Sequence, residues 1–165
     1  MHLSRYANVD LYFCLWIMSK IDSSRCTIRL QSSEEVAIRD KDVGSVIGIP
    51  WHGKDVTVQP NSSYETLCKI RNIFRQADCR AVLTMSHVEA VLKKEYHSKM
   101  TNEEIDAFKV AVVMFTMNNL LGNEGNSTTL PLGLLIYLTD PSEIHLYNWG
   151  LLVRRYLISS AHLVT

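Results

Sequence analysis

The sequence predicts a mainly α-helical domain with a small two- or three-stranded sheet near residues 27–58. Two observations carry the helical part: apolar residues recur at helical spacing after residue 61, and Ser/Thr-x-x-Glu capping boxes stand at Ser86 and Thr101. A third observation places the sheet, because short β-branched segments are concentrated between residues 27 and 58.

The composition is that of one ordinary globular domain. The chain has 165 residues, of which 47% are hydrophobic and 21% are charged. No linker divides it, so we expect a single helical domain over residues 1–165, which further sequence after Thr165 would continue. Seventeen basic and seventeen acidic residues cancel, which excludes a strongly basic DNA-coating protein and an acidic tail protein.

The first predicted helix is unusual because it is apolar on every side. Residues 11–21 carry almost no polar side chain. Such a helix is either buried all round or lies beneath a neighbouring chain. The segment is too short to cross a bilayer, which takes about 20 residues, so we expect no membrane partner.

Residues 27–30, 36–38 and 56–58 are the candidate strands. We expect 36–38 to pair with 56–58 around the turn at Gly53. The alternative is a capping box, Ser32-x-x-Glu35, which makes residues 33–39 helical. Between the two strands, Asp40 is an N-cap candidate, and a short helical turn over 42–49 ends at Gly48 and Pro50.

The remaining sequence predicts a succession of helices. Asn61 or Ser62 caps the next one, and the capping boxes open two more, of which the longest runs from Thr101 to Leu121 before Gly122. Residues 131–138 form a further helix, and residues 140–143 are another helix-start signal. Asn148 caps a last helix over residues 149–162.

The last helix carries two apolar faces. A wide stripe that begins at Trp149 is enough to dock the helix on the core. Leu151 and Ile158 lie on the opposite side. They are either ordinary exposed residues or a ridge covered by a partner, a second copy, or sequence after Thr165. We expect Leu151→Lys with Ile158→Lys to leave folding nearly untouched.

No catalytic, cofactor-binding or metal-ligating residue is predicted. The sequence has no GxSxG, GxGxxG, Walker or HExxH motif, and its four cysteines form no CxxC pair. We expect reduced thiols, with Cys14 and Cys68 buried in helices. A hydrolase that uses Cys79 with His87 or His97 is a third, weaker hypothesis, since Cys79 is better interpreted as structural.

One local charge asymmetry stands out. Seven basic residues lie between Lys69 and Lys99, against three acidic ones. This is either a solvated helix face or a phosphate-contact surface. In the second case four residues are expected to lie on one surface: Arg71, Arg75, Lys93 and Lys94.

Three groups of residues carry a family resemblance. They are Val36-Ala-Ile with Val46-Ile-Gly48-Ile-Pro50-x-x-Gly53-Lys54, then Phe108, Phe115 and Leu120-Leu121, then Leu134, Tyr137 and Tyr147-Asn148-Trp149-Gly150. Their order resembles plant domains of unknown function in transposon-derived proteins, often N-terminal to a ubiquitin-like (SUMO-type) cysteine protease domain. The plant mobile domain, often labelled "aminotransferase-like", is a related look-alike. Neither family has an agreed activity, so no functional residue is carried over.

The sequence therefore favours a non-catalytic interaction or structural module of a transposon-derived plant protein. The alternative is a nucleic-acid-binding module that uses the basic face of residues 69–99. We expect a protein partner or a downstream domain, no cofactor, and no evident small-molecule substrate. No targeting signal is seen, so an intracellular protein is expected, with the nucleus as one location.

Overall fold

The computed structural model describes residues 11–31, 34–60, 62–75, 83–96, 99–120 and 132–162. The described chain is mainly helical, as predicted. Its α-helices are α1 (Leu11–Met18), α2 (Asp40–Ile47), α3 (Tyr64–Ile73), α4 (Met85–Lys93), α5 (Asn102–Leu120) and α6 (Trp149–His162). Two 3₁₀ helices, Leu132–Leu138 and Ile144–Leu146, precede α6.

The small sheet is confirmed, but its pairing differs from the prediction. It contains β1 (Ile21–Asp22), β2 (Thr27–Gln31) and β3 (Glu34–Ala37), antiparallel in the order β1-β2-β3. β3 pairs with β2, so the predicted pairing of 36–38 with 56–58 is wrong, and so is the alternative helix over 33–39. Only two residues separate β2 from β3. Pairing these two strands closes a much shorter loop than pairing 36–38 with 56–58, and therefore costs less chain entropy. Val56 is instead buried in the main core.

A second, parallel pair of strands joins distant parts of the chain. β4 (Lys54–Asp55) pairs with β5 (Tyr147–Asn148), and the Gly150 N–H donates to the Pro50 carbonyl over 2.9 Å. Gly53 has φ +109°, and a Cβ there would lie 2.1 Å from the Leu146 carbonyl oxygen. The first and third of the groups that carry the resemblance thus pack against each other. Their backbones come so close at Gly53 that any side chain there would clash with Leu146.

The helix caps are local, and two of them match the sequence residue by residue. The Thr101 N–H donates to Glu104 Oε2 over 3.0 Å, and the Glu104 N–H donates back to Thr101 Oγ1 over 3.3 Å. Asn148 Oδ1 accepts the Leu151 N–H over 2.8 Å, which confirms Asn148 as the cap of α6.

Three other predicted caps are displaced by a residue or two. Ser63, not Ser62, caps α3 by accepting the Thr66 N–H; Asn61 lies outside the described residues. α4 begins at Met85 with Thr84 as its cap, so the predicted box at Ser86 is wrong. Asp40 is the first residue of α2 rather than its cap. The cap of α3 is thus one residue later than predicted, and the cap of α4 is two residues earlier than predicted.

The main core lies where α3, α4, α5 and α6 meet the first 3₁₀ helix. Trp149 is 1% exposed, and its Nε1 donates to the Ile144 carbonyl over 2.8 Å. α5 contributes one continuous buried face to this core, whereas Phe108 and Val112 on another side of the helix are exposed. The fully enclosed side chains include Val56, Ile70, Val88, Val110, Met114, Met117, Leu134, Leu135 and Leu138.

A second, smaller core lies between the three-stranded sheet and the end of α6. Ile21, Ile38 and Ala161 are buried in it. Ile158 packs against this cluster, and Leu151 is only 8% exposed. The predicted open ridge of Leu151 and Ile158 is therefore wrong: other parts of the same chain cover it, and the sheet packs on Ile158.

Candidate functional site

One side of α1 is an exposed apolar surface, here called the α1 ridge. It consists of Tyr12, Phe13, Leu15 and Trp16, of which Tyr12 is 86%, Phe13 56% and Trp16 52% exposed. The rings of Phe13 and Trp16 stack with centroids 6.0 Å apart. Of the two expectations for this helix, burial all round is wrong for the described residues, whereas coverage by a neighbouring chain stays a prediction. An exposed aromatic patch of this kind is typical of a binding surface.

One backbone hydrogen bond links the segment after α1 to the small sheet, and two local bonds close the end of the helix. The Ser19 N–H donates to the Leu15 carbonyl, and the Lys20 N–H donates to the Ile17 carbonyl, each over 2.9 Å. Lys20 in turn accepts the Arg29 N–H of β2 over 2.9 Å. These bonds leave a short connection between α1 and β1.

An apolar groove lies between α2 and α6, here called the α2/α6 groove. Its volume is about 510 Å³. Val46 is 87% exposed at its edge. The groove contains one charged residue, Asp42, and the lining is otherwise uncharged: Val43, Val46, Ile47, Val153, Tyr156, Leu157 and Ser160.

The end of α1 and part of the groove lining pack against the same small core cluster. Met18, the last residue of α1, packs against the second core cluster. Val43 and Leu157 pack against that same cluster and also line the groove. The sequence analysis missed the groove. The spacing of Val43, Val46 and Ile47 on a short helix indicates an apolar face, but nothing local shows what lies opposite.

The four predicted nucleic-acid-contact residues do not share one environment. Arg71 is buried, whereas Arg75, Lys93 and Lys94 are exposed. Each of these exposed cations has a carboxylate partner, which comes either from α5 or from the cation's own helix. The ion pairs are Arg75–Glu103 (3.5 Å), Lys93–Glu89 (2.6 Å) and Lys94–Glu104 (2.6 Å), with Lys69–Glu65 (2.9 Å) nearby.

These ion pairs also lower the pKa values of two of the glutamates. The hydrogen bond from Lys94, aided by the backbone N–H of Thr101, lowers the pKa of Glu104 below its ordinary value. Lys69 lowers the pKa of Glu65 in the same way. Both carboxylates are therefore fully ionised at neutral pH, and the local excess of basic residues in the sequence is offset in three dimensions.

A second cavity of about 320 Å³ lies beside these ion pairs, between α3, α4 and α5. Apolar side chains line it together with four charged ones, Arg75, Lys94, Glu103 and Glu104. His87 also lines it, and its Nδ1 accepts the Thr84 N–H over 3.2 Å. His87 therefore has a local structural role as part of the α4 cap.

The thiol predictions are partly met. Cys14 and Cys68 lie in helices, as predicted, but both are half-buried rather than buried. Together with Cys26 they are free thiols. Cys79 and His97 lie outside the described residues. Within the described ranges, no cluster of three or more His, Cys, Asp or Glu side chains is placed to hold a metal ion.

A family model matches almost the whole chain. It covers residues 1–164 and is described as "Domain of unknown function (DUF8566)". The chain belongs to the DUF8566 family. No curated protein and no solved structure matches it.

The DUF8566 description names no activity, substrate or partner. It mentions neither plant mobile domains nor transposons, so the resemblance given above stays a prediction. No helix of the described residues is both long enough and apolar enough to span a membrane. Because the family description assigns no activity, the function of the site is inferred from its geometry.

Proposed function

We propose that this DUF8566 domain is a non-catalytic protein-interaction module whose binding surface comprises the α1 ridge and the α2/α6 groove. The observation that carries the proposal is the exposure of Tyr12, Phe13 and Trp16 on one short helix. Burying an aromatic side chain is among the most favourable contributions to an interface. Each of the three side chains exposes half or more of its surface, so a partner that covers them would gain this contribution.

The rest of the surface is consistent with an apolar partner. α1 carries no charged residue, and the groove carries one. Such a surface attracts its partner through burial of apolar area rather than through charge. The partner is therefore expected to present apolar side chains, most simply along a helix that lies in a groove.

The nucleic-acid alternative has less support from these contacts. A phosphate-binding surface needs exposed Lys and Arg side chains that are available to contact phosphates and release counterions. Arg75, Lys93 and Lys94 each have a carboxylate within 3.5 Å, and Arg71 is buried.

A photo-crosslinker tests the interaction surface directly. Benzoylphenylalanine replaces Tyr12 in one variant and Val112 in the control, since Val112 is an exposed apolar residue of α5 far along the chain from the α1 ridge. In cells that express the protein, we expect a protein adduct from position 12. The adduct should disappear when Phe13→Asp and Trp16→Asp are added.

The control position should give no comparable adduct. If position 12 yields no adduct, or if the Asp substitutions leave the adduct unchanged, the α1 ridge is not a binding surface and the proposal is wrong.

A further inference from the structure

We infer that His87 makes the start of α4 sensitive to pH: the first turn of this helix is capped while the imidazole is neutral, and it opens when Nδ1 takes up a proton. The inference concerns a different part of the molecule from the proposed binding surface and does not rest on it. It follows from the hydrogen bonds of one ring nitrogen, from the position of the ring at a helix N-terminus, and from the charges beside it.

Nδ1 of His87 is the acceptor that completes the α4 cap. It accepts the Thr84 N–H over 3.2 Å, and it lies 2.8 Å from Thr84 Oγ1. A backbone N–H only donates, so Nδ1 must offer a lone pair, and the proton of the neutral ring must be on Nε2. Glu or Gln ordinarily occupies this position of a capping box, and neither changes its charge near neutral pH.

A proton on Nδ1 turns the acceptor into a donor. The Thr84 hydroxyl can rotate and accept a hydrogen bond from it, because a hydroxyl both donates and accepts. The Thr84 N–H has no such freedom, so it loses its acceptor and faces a second donor. The cationic ring also lies in the first turn of α4, where the free N–H groups carry partial positive charge. Both effects disfavour the charged imidazole in the capped conformation.

The charges beside the ring cancel in pairs. Among the described residues, five other charged or titratable side chains line the same cavity: Arg75, Lys94, Tyr96, Glu103 and Glu104. Arg75 pairs with Glu103 over 3.5 Å. Lys94 pairs with Glu104 over 2.6 Å.

The two glutamates also stay ionised where a histidine titrates. Backbone hydrogen bonding lowers the pKa of Glu103, and the hydrogen bond from Lys94 lowers the pKa of Glu104. Histidines ordinarily titrate at about pH 6.5, well above these acids. A change of charge among the described cavity residues near that pH would therefore come from the imidazole.

The first turn of α4 is the part of the helix that the cap controls. Val88, directly after His87, is fully buried in the main core, whereas Ser86 is exposed. The His87 N–H donates to the Thr84 carbonyl over 3.1 Å, so the turn is closed by bonds between these two residues. Opening is expected to stop at Val88. Because His87 lines the cavity, opening changes the α4 wall of that cavity.

Urea unfolding of the full chain at about pH 8 and about pH 5, on either side of ordinary histidine titration, tests the inference. The unfolded chain binds a proton at the lower pH that the capped state excludes, so stability should fall as the pH falls. His87→Gln is the reference variant, since Gln keeps an acceptor oxygen and does not titrate. Relative to this variant, the unfolding constant of the wild type should rise about 5-fold at the lower pH, as the loss of a cap does.

A second variant gives the uncapped limit. His87→Leu removes the acceptor, and Leu has nearly the same helix propensity as Gln. The wild type should resemble His87→Gln at the higher pH and His87→Leu at the lower pH. His145→Gln is the matched control, since His145 is an exposed histidine of the second 3₁₀ helix, and this variant should keep the pH dependence of the wild type.

NMR provides the local readout. Nitrogen-15 shifts of the His87 ring at the higher pH should show the proton on Nε2. Hydrogen exchange of the Thr84 amide, corrected for its intrinsic rate, should be protected at the higher pH and lose that protection at the lower one. Circular dichroism at the higher pH verifies that each variant is folded. If His87→Leu does not fold, the comparison of the wild type with His87→Gln still decides the question.

Three results would overturn the inference. A neutral ring with its proton on Nδ1 could not accept the Thr84 N–H. A constant ratio of the unfolding constants of the wild type and His87→Gln at the two pH values would show that the cap does not respond to the imidazole. Loss of the pH dependence in His145→Gln would assign it to a different histidine.

Discussion

Arg154 Nε lies 2.8 Å from Asp40 Oδ1, and this ion pair ties the first turn of α2 to the middle of α6. Both side chains are only 26% exposed. Asp40 Oδ2 also accepts a hydrogen bond from Asn148 Nδ2 over 3.2 Å, and Arg154 donates to the Ile38 carbonyl. Asp40 thus connects α2 to Asn148 and to Arg154 of the last helix, and Arg154 connects that helix to the segment that follows β3.

We expect Asp40→Asn to reduce the free energy of unfolding by about 1–3 kcal/mol, because it leaves a half-buried guanidinium without its carboxylate. Urea unfolding followed by circular dichroism measures this change. Arg155→Met is the matched control: its ion pair with Asp55 is 3.3 Å long and exposed, so its loss should cost under about 1 kcal/mol. Equal losses in the two variants would contradict the role given to Asp40.

Trp149→Ala should destabilise the domain by about 3–5 kcal/mol, since it removes a fully buried indole and leaves a cavity in the main core. Trp149→Phe separates packing from hydrogen bonding. It keeps most of the ring but loses the bond from Nε1 to the Ile144 carbonyl, so a smaller loss of about 1–2 kcal/mol is expected. A Trp149→Ala protein that unfolds at the wild-type urea concentration would show that this core is misassigned.

Leu151→Lys with Ile158→Lys should now unfold or severely destabilise the protein, in contrast to the expectation from the sequence alone. Leu151 is buried, and Ile158 packs against the cluster of Ile21 and Ile38. Burying a lysine without a partner is strongly unfavourable. Far-UV circular dichroism and the urea midpoint provide the measurement, with Ser159→Lys on an exposed position of α6 as the control. If the double variant unfolded at the wild-type urea midpoint, Leu151 and Ile158 would not be core residues, and the open ridge expected from the sequence would be correct.

The carboxyl group of Glu104 should titrate below its ordinary pKa of 4.5, because it accepts hydrogen bonds from Lys94 and the Thr101 N–H. A pKa that is lower in the folded than in the unfolded state favours folding above the unfolded value. This contribution is lost as the pH falls through the folded pKa. Carbon-13 NMR of the glutamate carboxyls measures it. Lys94→Met should raise the pKa of Glu104, whereas Lys109→Met, which removes the partner of Asp106, should leave it unchanged.

The domain should bind weakly to a DNA column, because the exposed cations of residues 69–99 have carboxylate partners. Glu103→Gln with Glu104→Gln frees Arg75 and Lys94 from theirs, and we expect the double variant to elute at higher salt than the wild type. Asp106→Asn is the charge-change control, since Asp106 is an acid of α5 that pairs with Lys109 instead. Strong salt-dependent retention of the wild type, reduced by Lys93→Ala and Lys94→Ala, would favour the nucleic-acid alternative.

Sequence alone predicts the parts of the fold that depend on near neighbours. The Thr101–Glu104 capping box and the Asn148 cap are confirmed because each bond joins residues three positions apart. The left-handed turn at Gly48, φ +77°, likewise ends α2 where expected. The sequence likewise shows that α1 is apolar on every side, but not which of its residues are buried.

The tertiary structure decides which of these faces is covered and by what. β4 pairs with β5 across most of the chain, the sheet packs on Ile158, and glutamates of α5 reach Arg75 and Lys94. None of these contacts follows from periodicity, because a helical pattern states that a side is apolar or charged but not what lies opposite. The sequence alone therefore determines the helices and some of their caps, whereas only the packing of distant segments makes Leu151 core and leaves Trp16 on the surface.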